Sequence, residues 1–211
     1  MLAAVNSARF VIVDTGCANL SSVKFAVERL GFNITITDDI ATIKQAEKVI
    51  LPGVGNAKHA MANIIEKGLV DTLQNLKQPV LGFCLGMQLM TRSSTEGLAK
   101  TGDESNTIGC LGLIPTDIKP LEADGNRLPH MGWNTLTSVS DHPVFKGINI
   151  DDYFYFVHSF AAPISEYTVA SCNYGSDFSA AIAKDNFIGC QFHPERSGTL
   201  GSKIIDNFLK L

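Results

Sequence analysis

The sequence predicts a single-domain α/β fold in which a mostly parallel sheet is flanked by helices and extra antiparallel strands lie in the C-terminal half. Short apolar runs alternate with segments of helical periodicity through residues 9-90, and strand signals dominate the later part. The alternation is typical of βαβ units, which build parallel sheets. The chain has 211 residues, enough for one sizeable core. Residues 9-211 are therefore predicted as one domain, behind a poorly ordered leader at residues 1-8.

Strands in the first half are predicted where short runs rich in β-branched residues end at turn-forming residues. These runs are residues 9-14, 33-37, 48-51 and 80-83. Helices are predicted between the strands from apolar residues spaced three and four apart. They extend from Asn19 to a stop at Gly31, along an apolar face from Met61 to Leu76, and from Leu85 to Thr91.

The second half begins with a polar segment, residues 92-107, that is rich in Gly, Ser and Thr and is predicted as a surface loop. Four further strands are predicted from apolar runs. They span residues 153-160, 168-173, 179-184 and 187-192, and an amphipathic helix closes the chain at residues 200-209.

Composition excludes several functions. The net charge is −4 with no run of Lys or Arg, which argues against nucleic acid as a partner. No stretch approaches the roughly 20 apolar residues that cross a membrane, and the leader lacks the basic region of a signal peptide. The five cysteines form no CxxC pair and are odd in number, so neither a disulfide scaffold nor a metal site is predicted. We expect a cytoplasmic protein without a cofactor.

The most informative motif is Gly82-Phe83-Cys84-Leu85-Gly86, a G-x-C-x-G sequence where a strand becomes a helix. It is the cysteine version of the nucleophile elbow. The turn would raise Cys84 above the sheet edge, and the helix start favours a thiolate there. The N–H of Leu85, directly after the nucleophile, could donate to an oxyanion. A structural cysteine in a Gly-rich turn is the alternative interpretation.

A second motif, Gln191-Phe192-His193-Pro194-Glu195, supplies a base and its orienting partner. In an extended chain, residues two apart face the same side. His193 and Glu195 would then project together, which with Cys84 makes a nucleophile, a general base and an orienting carboxylate. The alternative is a strand-end histidine satisfied by a neighbour.

The loop after the third strand is Pro52-Gly53-Val54-Gly55. Its glycines would let backbone approach a ligand and turn an N–H inward as a second oxyanion donor. Like Cys84, this loop would lie at the C-terminal end of a parallel strand, where open α/β sheets bind ligands. An ordinary strand-to-helix connection would have a similar sequence.

These three motifs, in this order and spacing, resemble those of the class I glutamine amidotransferases, which have a flavodoxin-like architecture. The resemblance implies a Cys84–His193–Glu195 triad and an oxyanion hole from Val54, Gly55 and Leu85. It also implies a set of glutamine-binding residues: Gly53, Gln88, His158, Ser159 and Phe160. A polar residue on the surface of a helix is the alternative for Gln88.

Further segments are similar to the glutaminase subunits of imidazole glycerol phosphate synthase. They are DTGCANLSSV at 14-23, GCLGLIP at 109-115, PHMGWN at 129-134 and YFVHSF at 155-160. The resemblance implies a heterodimer with a (β/α)8-barrel cyclase subunit that receives the ammonia. Asn19, Trp133, Tyr155 and Arg196 would contact this partner, although Trp133 and Tyr155 could also be core aromatics.

Two positions depart from this pattern. Cys17-Ala18 stand where Met-Gly is usual, and Arg196 stands where Lys is common, which puts the partner contacts there in doubt. Three other functions stay open at this point. The chain could serve another synthase, of the pyridoxal phosphate or anthranilate type, act alone as a γ-glutamyl cysteine hydrolase, or be a non-catalytic binding module.

Overall fold

A computed structural model of the chain describes residues 9-16, 19-97 and 107-211. The predicted leader, the Cys17-Ala18 departure and most of the loop predicted at 92-107 lie outside the described residues. None of the helices in the described part of the chain is long and apolar enough to cross a membrane.

Strands and helices alternate through the first half, and strands dominate the second. The strands are β1 Phe10–Val13, β2 Thr35–Thr37, β3 Lys48–Leu51, β4 Val80–Phe83, β5 Thr91–Ser94, β6 Ile108–Gly109, β7 Ile114–Pro120, β8 His130–Val139, β9 Tyr153–His158, β10 Phe160–Ala161, β11 Thr168–Tyr174, β12 Ser176–Lys184 and β13 Phe187–Cys190. The helices are α1 Leu20–Glu28, α2 Ile40–Gln45, α3 Ala57–Glu66, α4 Val70–Gln74, α5 Leu85–Leu89 and α6 Gly198–Leu209. Short 3₁₀ turns occupy Pro143–Phe145 and Pro194–Arg196.

The larger sheet in the described chain has the order β2-β1-β3-β4-β13-β12-β11-β8-β9. Its first five strands are parallel, and the remaining four continue it in antiparallel pairs. The parallel part therefore has the flavodoxin-like 2-1-3-4-5 order. A smaller sheet has the order β10-β7-β5-β6. The predicted fold class, with antiparallel strands added in the second half, is confirmed.

Helices cover both faces of the sheet because its parallel strands are apolar on both sides. Along β1, Phe10 and Ile12 pack into a core shared with α1 and α6. Val11 and Val13 pack into a second core shared with α3, α4 and α5. This alternation follows from the two-residue period of a strand.

Several elements differ from those predicted, and strands β7 and β8 were not predicted at all. The apolar face from Met61 to Leu76 is carried by two helices, α3 and α4, because Gly68 between them has φ 65°. Thr91 was predicted to end a helix, but it begins β5. This strand was not predicted because its sequence is polar. Helix α2 was not predicted. It has only six residues and begins where the Asp39 side chain accepts from the Thr42 N–H at 2.7 Å.

The topology brings three loops to one edge of the sheet. Strands β3, β4 and β13 are adjacent and parallel, so their carboxyl ends meet. Pro52–Gly55 follows β3, Cys84 follows β4, and His193 lies just beyond β13. The turn after β4 is tightly packed, since a Cβ on Gly86 would lie 1.8 Å from the carbonyl oxygen of Leu51.

We predict that Gly86→Ala destabilises the fold by roughly 3 kcal/mol or more, because the added methyl group would force β3 and α5 apart. Gly109→Ala is the matched control, since its Cβ would meet no atom of the described residues within 4 Å. Urea unfolding of both variants and the parent chain measures the difference. Equal stabilities for the two variants would contradict the tight packing of the turn.

Candidate active site

Cys84 occupies the sharp turn between β4 and α5. Its backbone has φ 49° and ψ −109°, a conformation that costs a non-glycine residue about 1–3 kcal/mol. The Cys84 N–H donates to the Cys190 carbonyl at 2.7 Å, which ties the turn to β13. The conformation predicted from the G-x-C-x-G sequence is therefore present.

Two groups approach the Cys84 sulfur. Its Sγ lies 3.8 Å from the carbonyl oxygen of Val157 and 3.7 Å from Nε2 of Gln191. Gln191 is fully buried, and its Oε1 accepts from Gln88 Nε2 at 3.0 Å. An amide N–H directed at the sulfur stabilises negative charge on it.

His193 and Glu195 form a buried pair beside Cys84. Nδ1 of His193 is 2.9 Å from Oε1 of Glu195, and both side chains are nearly inaccessible to solvent. The His193 N–H donates to the Tyr155 carbonyl at 2.9 Å, which fixes the histidine backbone. The prediction that the two side chains meet is confirmed, but the extended chain assumed for it is wrong. Pro194–Arg196 is a 3₁₀ turn that brings Glu195 back under the imidazole.

The electrostatics of His193 favour its charged form. Burial alone would lower the pKa of His193, but the negative charge of the nearby Cys84 and the hydrogen-bonded carboxylate of Glu195 outweigh burial and raise the pKa to about 10. Its Nε2 atom is buried without a hydrogen-bond partner among the described residues. A charged imidazole with Nδ1 held by a carboxylate therefore keeps Nε2–H available for a ligand or the cysteine.

The loop after β3 packs against the turn that carries Cys84. A Cβ on Gly53 would lie 2.7 Å from the Gly86 nitrogen, and Gly55 adopts φ 100°. Both positions therefore require glycine. Gly53 and Val54 line a small cavity with His193 and Glu195. The N–H of Leu85 lies in the first turn of α5, where amides have no acceptor within the helix.

Gln88 is a buried residue of α5, so the interpretation as a surface residue is wrong. Its Nε2 donates to the Phe160 carbonyl at 3.1 Å as well as to Gln191, which leaves Oε1 as the atom that can accept from a ligand. The Phe160 carbonyl also accepts from Nδ1 of His158 at 2.9 Å, and the Ser159 carbonyl accepts from Leu121 N–H. The carbonyl groups of Ser159 and Phe160 are thus engaged, so backbone N–H groups of this segment are the better candidates for ligand contacts.

The four residues predicted for a partner interface lie around one surface next to His193. Trp133 is 55% exposed, which excludes the interpretation as a core aromatic. The Trp133 ring meets the Tyr155 ring edge-on, and the Arg196 guanidinium lies 4.6 Å above the Tyr155 ring centre. A cleft of about 490 Å³ beside them is lined by Asn19, Arg196 and residues of α1.

Three residues near the site were not singled out from the sequence. Gln191 belongs to the His193 motif but was assigned no role of its own, although a glutamine directly after a buried strand was a usable signal. His130 pairs with His158, and only the three-dimensional register of β8 and β9 brings the two together. Glu96 follows β5, and burial raises the pKa of its carboxyl group.

Comparisons with known proteins agree with this geometry. The family model described as glutamine amidotransferase class-I matches residues 11–211. The chain is 73% identical over 213 aligned residues to the imidazole glycerol phosphate synthase subunit HisH of Colwellia psychrerythraea, covering 98% of this chain and 95% of that one. It is 56% identical to the HisH of Shewanella oneidensis, with 95% of each chain covered. A solved glutamine amidotransferase has the same fold, with a TM-score of 0.69 at 16% identity, covering 95% of this chain and 97% of that chain.

We predict that His193 is doubly protonated at neutral pH. The raised pKa of about 10 means that the proton is lost only as the pH rises through that value. Cys84→Ala removes a nearby negative charge and should lower the pKa of His193, and Glu195→Gln should lower it as well. Nitrogen chemical shifts of the His193 ring across a pH titration measure the three values. A neutral His193 at pH 7 in the unmodified chain would contradict the charged pair.

Proposed function

Because the chain belongs to the class I glutamine amidotransferase family, we propose that it hydrolyses L-glutamine to glutamate and ammonia with Cys84, His193 and Glu195. The observation that carries the proposal is the strained turn that holds Cys84 beside the buried His193–Glu195 pair. In keeping with the names of its relatives, the chain acts as the glutaminase subunit of imidazole glycerol phosphate synthase in histidine biosynthesis.

The reaction runs in two steps through a covalent intermediate. The Cys84 thiolate attacks the side-chain amide carbon of glutamine, and a C–S bond forms. His193 then gives its Nε2 proton to the nitrogen as the C–N bond breaks, and ammonia leaves. In the second step His193 takes a proton from water, which attacks the thioester and releases glutamate and Cys84. Glu195 holds Nδ1 of His193 throughout, at 2.9 Å.

Backbone amides stabilise the oxyanion in both steps. The Leu85 N–H at the start of α5 is one donor, and an N–H of the Gly53–Gly55 loop, from Val54 or Gly55, is the second. The loop packs directly on Leu85 and Gly86, so the two donors are held close together. Each such donor contributes about 10²–10³ in rate.

Polar groups around the turn match the rest of glutamine. Oε1 of Gln88 can accept from a ligand N–H, and N–H groups of the segment from His158 to Phe160 can donate to the α-carboxylate. The Glu96 carboxylate is partly buried beside the start of α3, the helix that follows the Gly53–Gly55 loop, and its Oε2 lacks a partner among the described residues. The Glu96 carboxylate would form an ion pair with the α-ammonium group of glutamine.

An apolar surface beside the site supports a partner subunit. Strand β9 is an edge of the larger sheet and pairs with β8, and large apolar side chains are exposed on these two strands and on α1. They are Met131, Trp133, Tyr153 and Phe25, each more than half exposed. A patch of this kind marks an interaction surface. The patch adjoins Tyr155 and Arg196, which lie next to His193. Because ammonia would be released at His193, a cyclase barrel bound to this patch would receive the ammonia directly.

The same surface argues against the other functions. A γ-glutamyl hydrolase that acts alone has no use for an exposed aromatic edge, and a binding module has no use for the charged His193. A glutaminase of pyridoxal phosphate or anthranilate synthesis would use the same glutamine-hydrolysing chemistry. The names of the relatives favour imidazole glycerol phosphate synthase.

The direct test is Cys84→Ala in the complex with the cyclase subunit. Without the nucleophile, glutamine-dependent synthesis should fall by more than about 10⁴-fold. Synthesis from added ammonia should be unchanged, because ammonia bypasses the missing step. Cys172→Ala, which changes a buried cysteine of β11, is the matched control and should retain both activities.

Two results would contradict the proposal. Glutamine hydrolysis by the Cys84→Ala complex at the unmodified rate would remove Cys84 as the nucleophile. Failure of the unmodified chain to support synthesis with the cyclase, together with activity toward another synthase, would assign the chain to a different pathway.

A further inference from the structure

Two buried histidines outside the triad form a hydrogen-bonded pair. His130 of β8 and His158 of β9 face each other across the strand pair, and Nδ1 of His130 lies 3.0 Å from Nε2 of His158. Nδ1 of His158 is 2.9 Å from the Phe160 carbonyl oxygen, and Nε2 of His130 is 3.2 Å from Nδ2 of Asn134. Four residues are thus connected in one chain of hydrogen bonds.

The partners determine where each proton lies. A carbonyl oxygen can only accept, so Nδ1 of His158 carries a hydrogen. In a neutral ring its Nε2 is then an acceptor, and Nδ1 of His130 must donate to it. Nε2 of His130 is in turn an acceptor and receives the Asn134 amide N–H. The orientation of that amide is fixed independently, because its Oδ1 accepts from the Thr135 N–H and its Nδ2 also donates to the Asn173 carbonyl.

Burial keeps both rings neutral. It lowers the pKa of His158 to about 3, helped by His130 and by the charge of His193, and it lowers the pKa of His130 to about 4. Besides His193, the titratable side chain of Tyr174 also lies against the pair, because its ring stacks on His130 with 4.0 Å between the ring centres. A proton added to either ring would direct two N–H groups at each other. Each donor hydrogen in this series of hydrogen bonds therefore points in the same direction, from Asn134 toward Phe160.

The chain of hydrogen bonds ends at the catalytic centre. The Phe160 carbonyl that accepts the hydrogen bond from His158 Nδ1 also accepts one from Gln88 Nε2. Gln88 bonds to Gln191, and Gln191 donates toward the Cys84 sulfur. On the other side, β9 places the Val157 carbonyl 3.8 Å from that sulfur. The histidine pair thus holds one wall of the space above Cys84.

We propose that His130 is a positioning residue for glutamine, acting through His158 to hold the segment from Val157 to Phe160 in place. This inference rests on the proposed glutaminase function. Without the His130 donor, Nε2 of His158 becomes a buried acceptor with no partner, which is costly. His158 can then change tautomer and present a bare Nδ1 to the Phe160 carbonyl. The segment moves away from Gln88, and glutamine loses its binding contacts.

Two substitutions at His130 separate the hydrogen bond from packing. His130→Phe retains an aromatic ring between Phe156 and Tyr174 but removes the donor. His130→Asn loses the ring but places an amide N–H near the position of Nδ1. We would measure kcat and KM for glutamine in the complex with the cyclase subunit, and synthesis from added ammonia as a check on folding and partner binding.

We expect His130→Phe to raise KM for glutamine about tenfold or more, the usual consequence of leaving a buried acceptor unpaired, with a smaller change in kcat. His130→Asn should lie closer to the unmodified complex than His130→Phe does. An unchanged KM in His130→Phe, a loss confined to kcat, or a larger defect in His130→Asn would each overturn the positioning role. An unmodified complex that does not hydrolyse glutamine would instead refute the proposed function.

A measurement on the unmodified chain covers the case in which His130→Phe does not fold. Nitrogen and proton shifts of the imidazole rings at neutral pH report the tautomers independently of activity. Both His130 and His158 should be neutral with the hydrogen on Nδ1. A hydrogen on Nε2 of either ring, or a charged ring, would break the chain of donors and overturn the proposal.

Discussion

The backbone turn at Cys84 has φ 49° and ψ −109°, and it persists only because the surrounding atoms leave no relaxed alternative. The Cys84 N–H donates a hydrogen bond to β13. Gly82 and Gly86, on either side of Cys84, pack so closely against backbone atoms that a larger side chain would clash. The other features of the site depend on this turn. It lifts the sulfur clear of β4, directs the Leu85 N–H toward the same space, and lets the Gly53 loop pack closely enough to add a second donor.

The site holds two kinds of buried histidine, and their environments explain their different states. His193 touches a carboxylate and the cysteine, so its pKa rises and it carries charge. His130 and His158 touch each other and neutral groups, so their pKa values fall and they stay uncharged. In our account the charged ring moves protons during the reaction. The neutral rings, whose hydrogens are fixed in one direction, hold backbone in place.

The parts of the fold that the sequence predicted are those with local signals. Apolar runs ending at glycine marked β1, β3 and β4 correctly, and the glycines around Cys84 marked the turn. The His193–Glu195 contact was predicted from an extended chain that does not exist, because Pro194 starts a 3₁₀ turn instead. Strand β5 is polar and was taken for a loop. The bond between His130 and His158, 28 positions apart, depends on the register of two strands, which no local pattern reveals.

During turnover Cys84 becomes covalently attached to the γ-glutamyl group of glutamine, and this intermediate can be observed directly. The complex with the cyclase subunit would be mixed with glutamine, quenched in acid within the first turnovers, and digested for peptide mass measurement. We expect a γ-glutamyl group on the peptide that contains Cys84, and we expect more of it in Glu195→Gln, which slows the hydrolysis of the thioester. A complex that turns over glutamine with no adduct at Cys84, or with the adduct at another cysteine, would contradict this expectation.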